Sequence, residues 1–238
     1  MKINWKIVRF IVLIGFIAFI YGFSNKRNES RNITKLEVLF EDETTPFITR
    51  KMVDKLLIQN DTTIKTLNKE ILDLNSMENR LINHPMIRNA EIFVSIEGRL
   101  GVTIEQRKPI ARVMASPSYY IDEDGLQMPL SDIFTERVPI VKGFIKKEHN
   151  ALTKLLLIIK SDAFMHKNII GLDIKTNGNI VLYVRSYDFK VLFGKPKNSK
   201  NKIQNFKAFY QKAVADKVLS SYSLINLKMD TQVVATKK

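Results

Sequence analysis

The stretch IEQRKPIARV, residues 104–113, closes one alternating apolar strand and opens a second immediately after a proline. Proline lacks a backbone N–H and fixes φ, so within sheets it is confined to edges, strand starts and bulges. Pro109 therefore marks a seam at which one β-containing module hands over to another. It is expected to end the upstream hairpin and to set the entry into the downstream strand. Arg107 and Lys108 precede it and are expected to stand exposed, as solvated or interdomain polar groups and not as a ligand site.

Working back from the seam, Ala90, Ile92, Val94 and Ile96 alternate with Glu91, Phe93 and Ser95, Gly98-Arg99 turns the chain, and Leu100, Val102 and Ile104 resume the apolar face. That is a β-hairpin. Further upstream, ITKLEVLF (33–40) reads as a half-buried strand. Thr49 is a good N-cap for a helix whose stripe is Met52, Val53, Leu56 and Leu57, with Ile48 stapling onto Val53. Asp61–Leu74 carries no clear period. Asn75-Ser76 is expected to cap a second helix, Met77–Asn83, that stops before Pro85. The order is β-α-α-β-β, with the helices on one face of a three-stranded sheet.

Beyond the seam, Ile110–Met114, Tyr119–Asp122 and Val138–Val141 are short strand candidates, and Asp124-Gly125 is a turn signal. Leu152, Leu155, Leu156, Ile159 and Ala163 mark an amphipathic helix. Ile169–Lys175 and Ile180–Arg185 flank Asn177-Gly178, the strongest hairpin dipeptide. Asp188–Gly194 is a further strand, and Ile203, Phe206, Tyr210, Ala213 and Val214 form a second helical stripe. Tyr222–Lys228 and Gln232–Ala235 close the chain as strands.

At the N-terminus, Phe10–Phe23 is a run of 14 residues without a charge, about 21 Å as a helix against a hydrocarbon core of about 30 Å. Counted from Trp5 it reaches about 28 Å, with Lys6 and Arg9 snorkelling to the headgroups and Trp5 and Tyr21 as interfacial anchors. An uncleaved anchor over residues 7–23 is expected, with residues 1–6 as a short tail. The rival, a cleaved signal peptide, has only Gly22-Phe23-Ser24 as a small-x-small site. Lys2, Lys6 and Arg9 before the run and Lys26, Arg27 and Arg31 after it leave the orientation undecided by charge. The fold class is thus α+β: a transmembrane helix, a β-α-α-β-β domain at 33–107, and at 108–236 a mixed β-rich domain with two amphipathic helices.

The chain holds 38 Lys and Arg against 24 Asp and Glu, a formal charge of +14, spread along its length. A Lys-rich solvated surface accounts for this better than a dedicated nucleic-acid site. With no cysteine, disulfides, thiolate nucleophiles and Cys-ligated zinc are excluded. His84, His149 and His166 share no ligand spacing. Asp122-Glu123-Asp124-Gly125 lacks the remaining ligands of a calcium loop and reads as a capped tight turn. The lysines of Lys195–Lys202 read as a solvated loop entering a helix, and Phe206, Phe209 and Tyr210 as packing. No catalytic, cofactor or metal residue is assigned. Scattered carboxylates keep a glycan-hydrolase reading open.

Asn83-His84-Pro85-Met86-Ile87-Arg88-Asn89-Ala90-Glu91-Ile92-Phe93-Val94 resembles the POTRA signature of the bacterial cell-division proteins FtsQ and DivIB. Glu105–Val113 is similar to that family's junction between its POTRA and β domains. Tyr119–Gly125, Met128-Pro129-Leu130, Val138–Gly143, Phe193-Gly194, Lys202 with Phe206, and Ile225–Asp230 follow in the family's order. The resemblance implies a bitopic inner-membrane protein, cytoplasmic at its N-terminus and periplasmic for its bulk, at the division septum. It implies a scaffold that binds the small coiled-coil division proteins FtsB (or DivIC) and FtsL and is no enzyme. In that family the partner adds a strand to the last part of the β domain, which carries over onto Tyr222, Ser223, Leu224, Ile225, Asn226, Leu227, Lys228 and Met229. Met229 stands where many relatives have an aromatic residue. Two alternatives stay open, a periplasmic cell-wall hydrolase and a POTRA-bearing secretion or assembly component; the latter usually continues into a long transmembrane barrel.

Overall fold

The computed structural model describes residues 5–29, 35–57, 73–95, 97–143, 150–229 and 231–238. Part of the expected cytoplasmic tail, the unpatterned stretch up to residue 72 and His149 lie outside them. The chain divides into two compact units, Met1–Gln106 and Arg107–Lys238.

The first unit opens with helix α1 (Trp5–Glu29). Among the described residues no helix is long and apolar enough to cross a membrane. The uncharged run within α1, Phe10 to Phe23, covers about 21 Å of rise, and its large side chains are exposed. Strand β1 (Lys35–Phe40), helices α2 (Arg50–Leu57) and α3 (Leu74–Ile82), and strands β2 (Ile87–Val94) and β3 (Arg99–Gln106) follow. The sheet order is β1-β3-β2, with β1 parallel and β2 antiparallel to β3. Register aligns Val38 and Ile92 with Val102. These residues, with Leu100 and Ile104, pack against Val53 and Leu57 of α2 and Met77 and Leu81 of α3. Each such buried side chain contributes about 1.5–3 kcal/mol.

Local signals set the helix ends. Thr49 Oγ1 accepts the Met52 N–H at 3.2 Å and starts α2 as expected. For α3 the cap is Asp73, whose carboxylate accepts the Ser76 N–H at 3.0 Å, and not Asn75 or Ser76. Capping two or three residues earlier, Asp73 holds a different orphan N–H, that of Ser76, and lets the helix begin at Leu74. Gln106 ends the unit from within: its Oε1 accepts the Phe47 and Ile48 N–H groups and its Nε2 donates to Asp42 O. On edge strand β2, the Ile92 N–H donates to Glu78 of α3 at 2.8 Å.

The second unit is a nine-stranded sheet with helices on one face. Its strands are β4 (Pro109–Val113), β5 (Tyr119–Asp122), β6 (Gln127–Pro129), β7 (Ile140–Gly143), β8 (Ile169–Ile174), β9 (Ile180–Val184), β10 (Lys190–Gly194), β11 (Tyr222–Asn226) and β12 (Val234–Lys237). They lie in the order β12-β11-β10-β9-β8-β7-β4-β5-β6. Helices α4 (Asn150–Ser161), α5 (Ala163–Asn168) and α6 (Ser199–Ala215) complete it. Period-two alternation decides the faces. Val113, Val141, Leu172, Leu182, Val191 and Ile225 are cross-strand neighbours, each 3% exposed or less. They share one core with Leu155, Leu156 and Ile159 of α4 and Ile203 and Phe206 of α6. The adjacent row, Arg112, Ile140, Gly171, Tyr183, Lys190 and Leu224, lies on the other face.

Several elements depart from the sequence reading. Asp162 starts a third helix, accepting the Met165 N–H at 3.0 Å, so two amphipathic helices become three. Strand β6 was not anticipated, and β7 and β12 begin two residues later than the alternation suggested. Lys202 is not solvated: it is 4% exposed, and its ammonium donates to Phe193 O and Lys195 O, fastening the turn that leads into α6.

Candidate functional site

The seam is built from the downstream side. Arg107 is not exposed as expected: its side chain is 15% accessible, and its guanidinium meets the Asp122 carboxylate at 2.7 Å. A guanidinium beside a nearly buried carboxylate is drawn in because that carboxylate has no water to turn to. Asp122 also accepts the Asp124 and Leu126 N–H groups, closing the tight turn read from its sequence. Lys108 keeps an exposed side chain, and its carbonyl accepts the Glu123 N–H. Pro109 is buried and is the first residue of β4, a position that needs no ladder N–H.

The carried-over partner strand divides in two. Tyr222–Asn226 forms β11, and Ile225 and Leu227 face the core at 0% and 2% exposure, while Leu224 and Asn226 are half-buried. The strand stops short of Lys228 because the Asn226 side-chain carbonyl accepts the Lys228 N–H at 3.0 Å and turns the backbone. Lys228 and Met229 lie beyond it, exposed. Nor is β11 an edge strand: it pairs parallel with β10 and antiparallel with β12, which is the outermost strand at this end. Lys238 N–H continues that pairing to Ser221 O. The sequence marks Gln232–Ala235 as a strand, but nothing local indicates that it returns to cover β11.

Perturbed titratable groups do not converge on a cleft. Burial would raise the Asp162 carboxyl, but the Lys207 ammonium at 2.7 Å and the Met165 N–H outweigh it and hold it below its ordinary value. Burial, then a hydrogen bond with Tyr187, pushes Tyr210 up to about 12. Burial lowers His84, whose Nδ1 accepts the Met86 N–H. These are a helix cap, an aromatic cluster and a loop. Among the described residues no three His, Asp or Glu gather as metal ligands.

A family model described as "FtsQ/DivIB, C-terminal related" matches residues 108–236. The chain belongs to the FtsQ/DivIB family. A second model, described as a POTRA-like domain, matches residues 32–105, the segment that carries the three-stranded sheet. No curated protein matches the chain. Membership in the FtsQ/DivIB family makes this a cell-division protein with a mixed α+β fold.

Proposed function

We propose that this protein is a non-enzymatic scaffold of the bacterial divisome. It binds small bitopic coiled-coil proteins, FtsB- or DivIC-like and FtsL-like, and links early division components to septal peptidoglycan synthesis. The observation that carries this reading is the family match over 108–236, laid on a sheet that ends in a short strand beside Tyr222–Asn226. The apolar run at the N-terminus of the sequence supports the membrane part of it. As a helix, residues 7–23 rise about 25 Å and the run counted from Trp5 about 28 Å, so the proposed anchor relies on Lys6 and Arg9 snorkelling to the headgroups of a core of about 30 Å. The three-stranded and nine-stranded sheets then both belong to the periplasmic part of the chain. N-terminal sequencing of the membrane-extracted protein should return the intact start; a chain beginning at Asn25 would remove the anchor.

The partner segment pairs with Tyr222–Met229 by taking the place of β12. Strand addition works through backbone N–H and C=O groups, so the displaced strand must be held weakly. β12 has four residues, three of them exposed, and Val234 is 46% exposed. A second reading has its own support: β12 is itself the free edge and offers its outer side. The full-length chain and a variant ending at Met229 separate the two. Capture of small single-span coiled-coil proteins from growing cells should strengthen without β12 if the strand is displaced, and vanish if the partner pairs with its outer edge. Capture of no such protein by either form would sink the scaffold reading. A cleared band on a peptidoglycan zymogram would favour the hydrolase instead.

A further inference from the structure

We propose that a groove where β7 and β8 begin and β9 ends is a second recognition site, for an acidic and aliphatic segment of a partner protein. It encloses about 390 Å³, at the lower end of the roughly 300–1,000 Å³ usual for ligand clefts. Arg137, Pro139, Ile140, His166, Ile170 and Arg185 line it. β9, β10 and β11 separate β8 from β12, so this site does not depend on the pairing proposed for the end of the sheet.

Its floor is apolar and open to water. Ile140, at the start of β7, is 40% exposed, and Ile170 is 42% exposed. Ile170 falls where the β8–β9 register shifts between Ile169 and Gly171, so it is skipped by the ladder. Two arginines line the groove beside these isoleucines. Arg185 is fixed in place, its backbone N–H donating to Asn168 O at 2.7 Å and its Nε to Lys167 O at 3.0 Å. Its two terminal nitrogens have no partner among the described residues. Arg137 likewise makes no side-chain bond among them, and the neighbouring Glu136 carboxylate accepts the Arg137 backbone N–H at 3.2 Å. Among the described residues no Asp or Glu lines the groove.

Uncompensated guanidiniums call for a carboxylate or phosphate, which Arg binds through its planar fork. The two isoleucines add a second requirement. A free anion would satisfy the arginines and leave both isoleucines in water. A peptide with a carboxylate beside an aliphatic side chain uses both features, and an arginine already held by backbone bonds loses little freedom on binding.

The test uses the full-length chain in lipid nanodiscs and a fluorescein-labelled synthetic octapeptide alternating Glu and Leu, read by anisotropy. Saturable binding is expected, and Arg137→Ser with Arg185→Ser should weaken it at least about tenfold, the scale of a lost charge-assisted hydrogen bond. Ile170→Ser should weaken it too, and a Gln–Leu peptide should bind at least about tenfold less tightly. Arg137→Ser alone keeps the test open should the Arg185 change disturb folding, since the Arg137 side chain makes no bond among the described residues. The proposal is overturned by absence of saturable binding, by unchanged binding in the arginine variants, or by equal binding of a Glu–Gly peptide. It is also overturned if the arginine variants lose affinity for phosphatidylglycerol vesicles while keeping the peptide, because the groove is then a lipid-headgroup site.

Discussion

Asp122 is 1% exposed and holds three donors at once, the Arg107 guanidinium and two backbone N–H groups of its own turn. Removing one partner of such a pair strands the other in a dry place. Arg107→Met is therefore expected to cost about 3 kcal/mol, measured by urea unfolding of the full chain. Asp122→Asn in the same chain should recover part of that loss, because the amide oxygen still accepts N–H bonds without carrying a charge. Tyr210 makes a prediction in pH. Its phenol is raised to about 12 in the folded protein, by burial and then by the bond with Tyr187, against about 10 when unfolded. A raised value means that the fold holds the proton more tightly. This stabilisation is complete below pH of about 10 and is lost as pH rises towards about 12. Thermal melts across that window should fall more steeply for the native chain than for Tyr210→Phe; identical slopes would show that the phenol plays no part.

Two glycines with similar backbone angles separate the conformational cost of a side chain from its steric cost. Gly143 ends β7 with φ of 91°, and a Cβ there would lie 2.1 Å from Ile174 O, a backbone atom of the paired strand. Gly178, in the β8–β9 turn, has φ of 79° and nothing within 4 Å. Gly178→Ala should cost about 1–2 kcal/mol from backbone strain alone, and Gly143→Ala at least about 3 kcal/mol, because β7 and β8 must part. Equal melting temperatures for the two variants would contradict this. The Gly178 turn was legible beforehand because Asn-Gly between two apolar strands signals a hairpin, and so was the Thr49 cap. Each depends on residues within a few positions of one another. Some of what escaped the sequence is equally local, as with the Asp73 and Asp162 caps, and the rest depends on residues further off. Gln127-Met128-Pro129 is too short to show a period and is a strand only because β5 is beside it. Arg107 was read as solvated because its partner is fifteen positions away. Most consequentially for the proposed site, alternation marked Gln232–Ala235 as a strand but not its neighbour, so the pairing of β12 with β11 went unread.

At the scale of the molecule, adjacent residues belong to different units. Gln106 holds the Phe47–Ile48 backbone of the first unit, and Arg107 holds Asp122 of the second. Fragments 30–106 and 107–238 should each melt cooperatively by circular dichroism, and a fragment starting at Lys108 should melt several degrees below one starting at Arg107. Loss of structure in both fragments would mean a fused core. The nine-stranded sheet is also unequal at its two ends. β6 offers three residues, and the last, Pro129, has no N–H to give; at the other end stands β12. If strand pairing to the nine-stranded sheet is the mode of capture, that sheet has a single port. A titration with an isolated partner segment should then saturate at one per chain, and light scattering should show no concatenation at high concentration, since one copy's terminal strand finds no receptive counterpart on the blunt end of the next. For strand pairing such a sheet is monovalent by construction, and crowding would load it without stringing it into filaments.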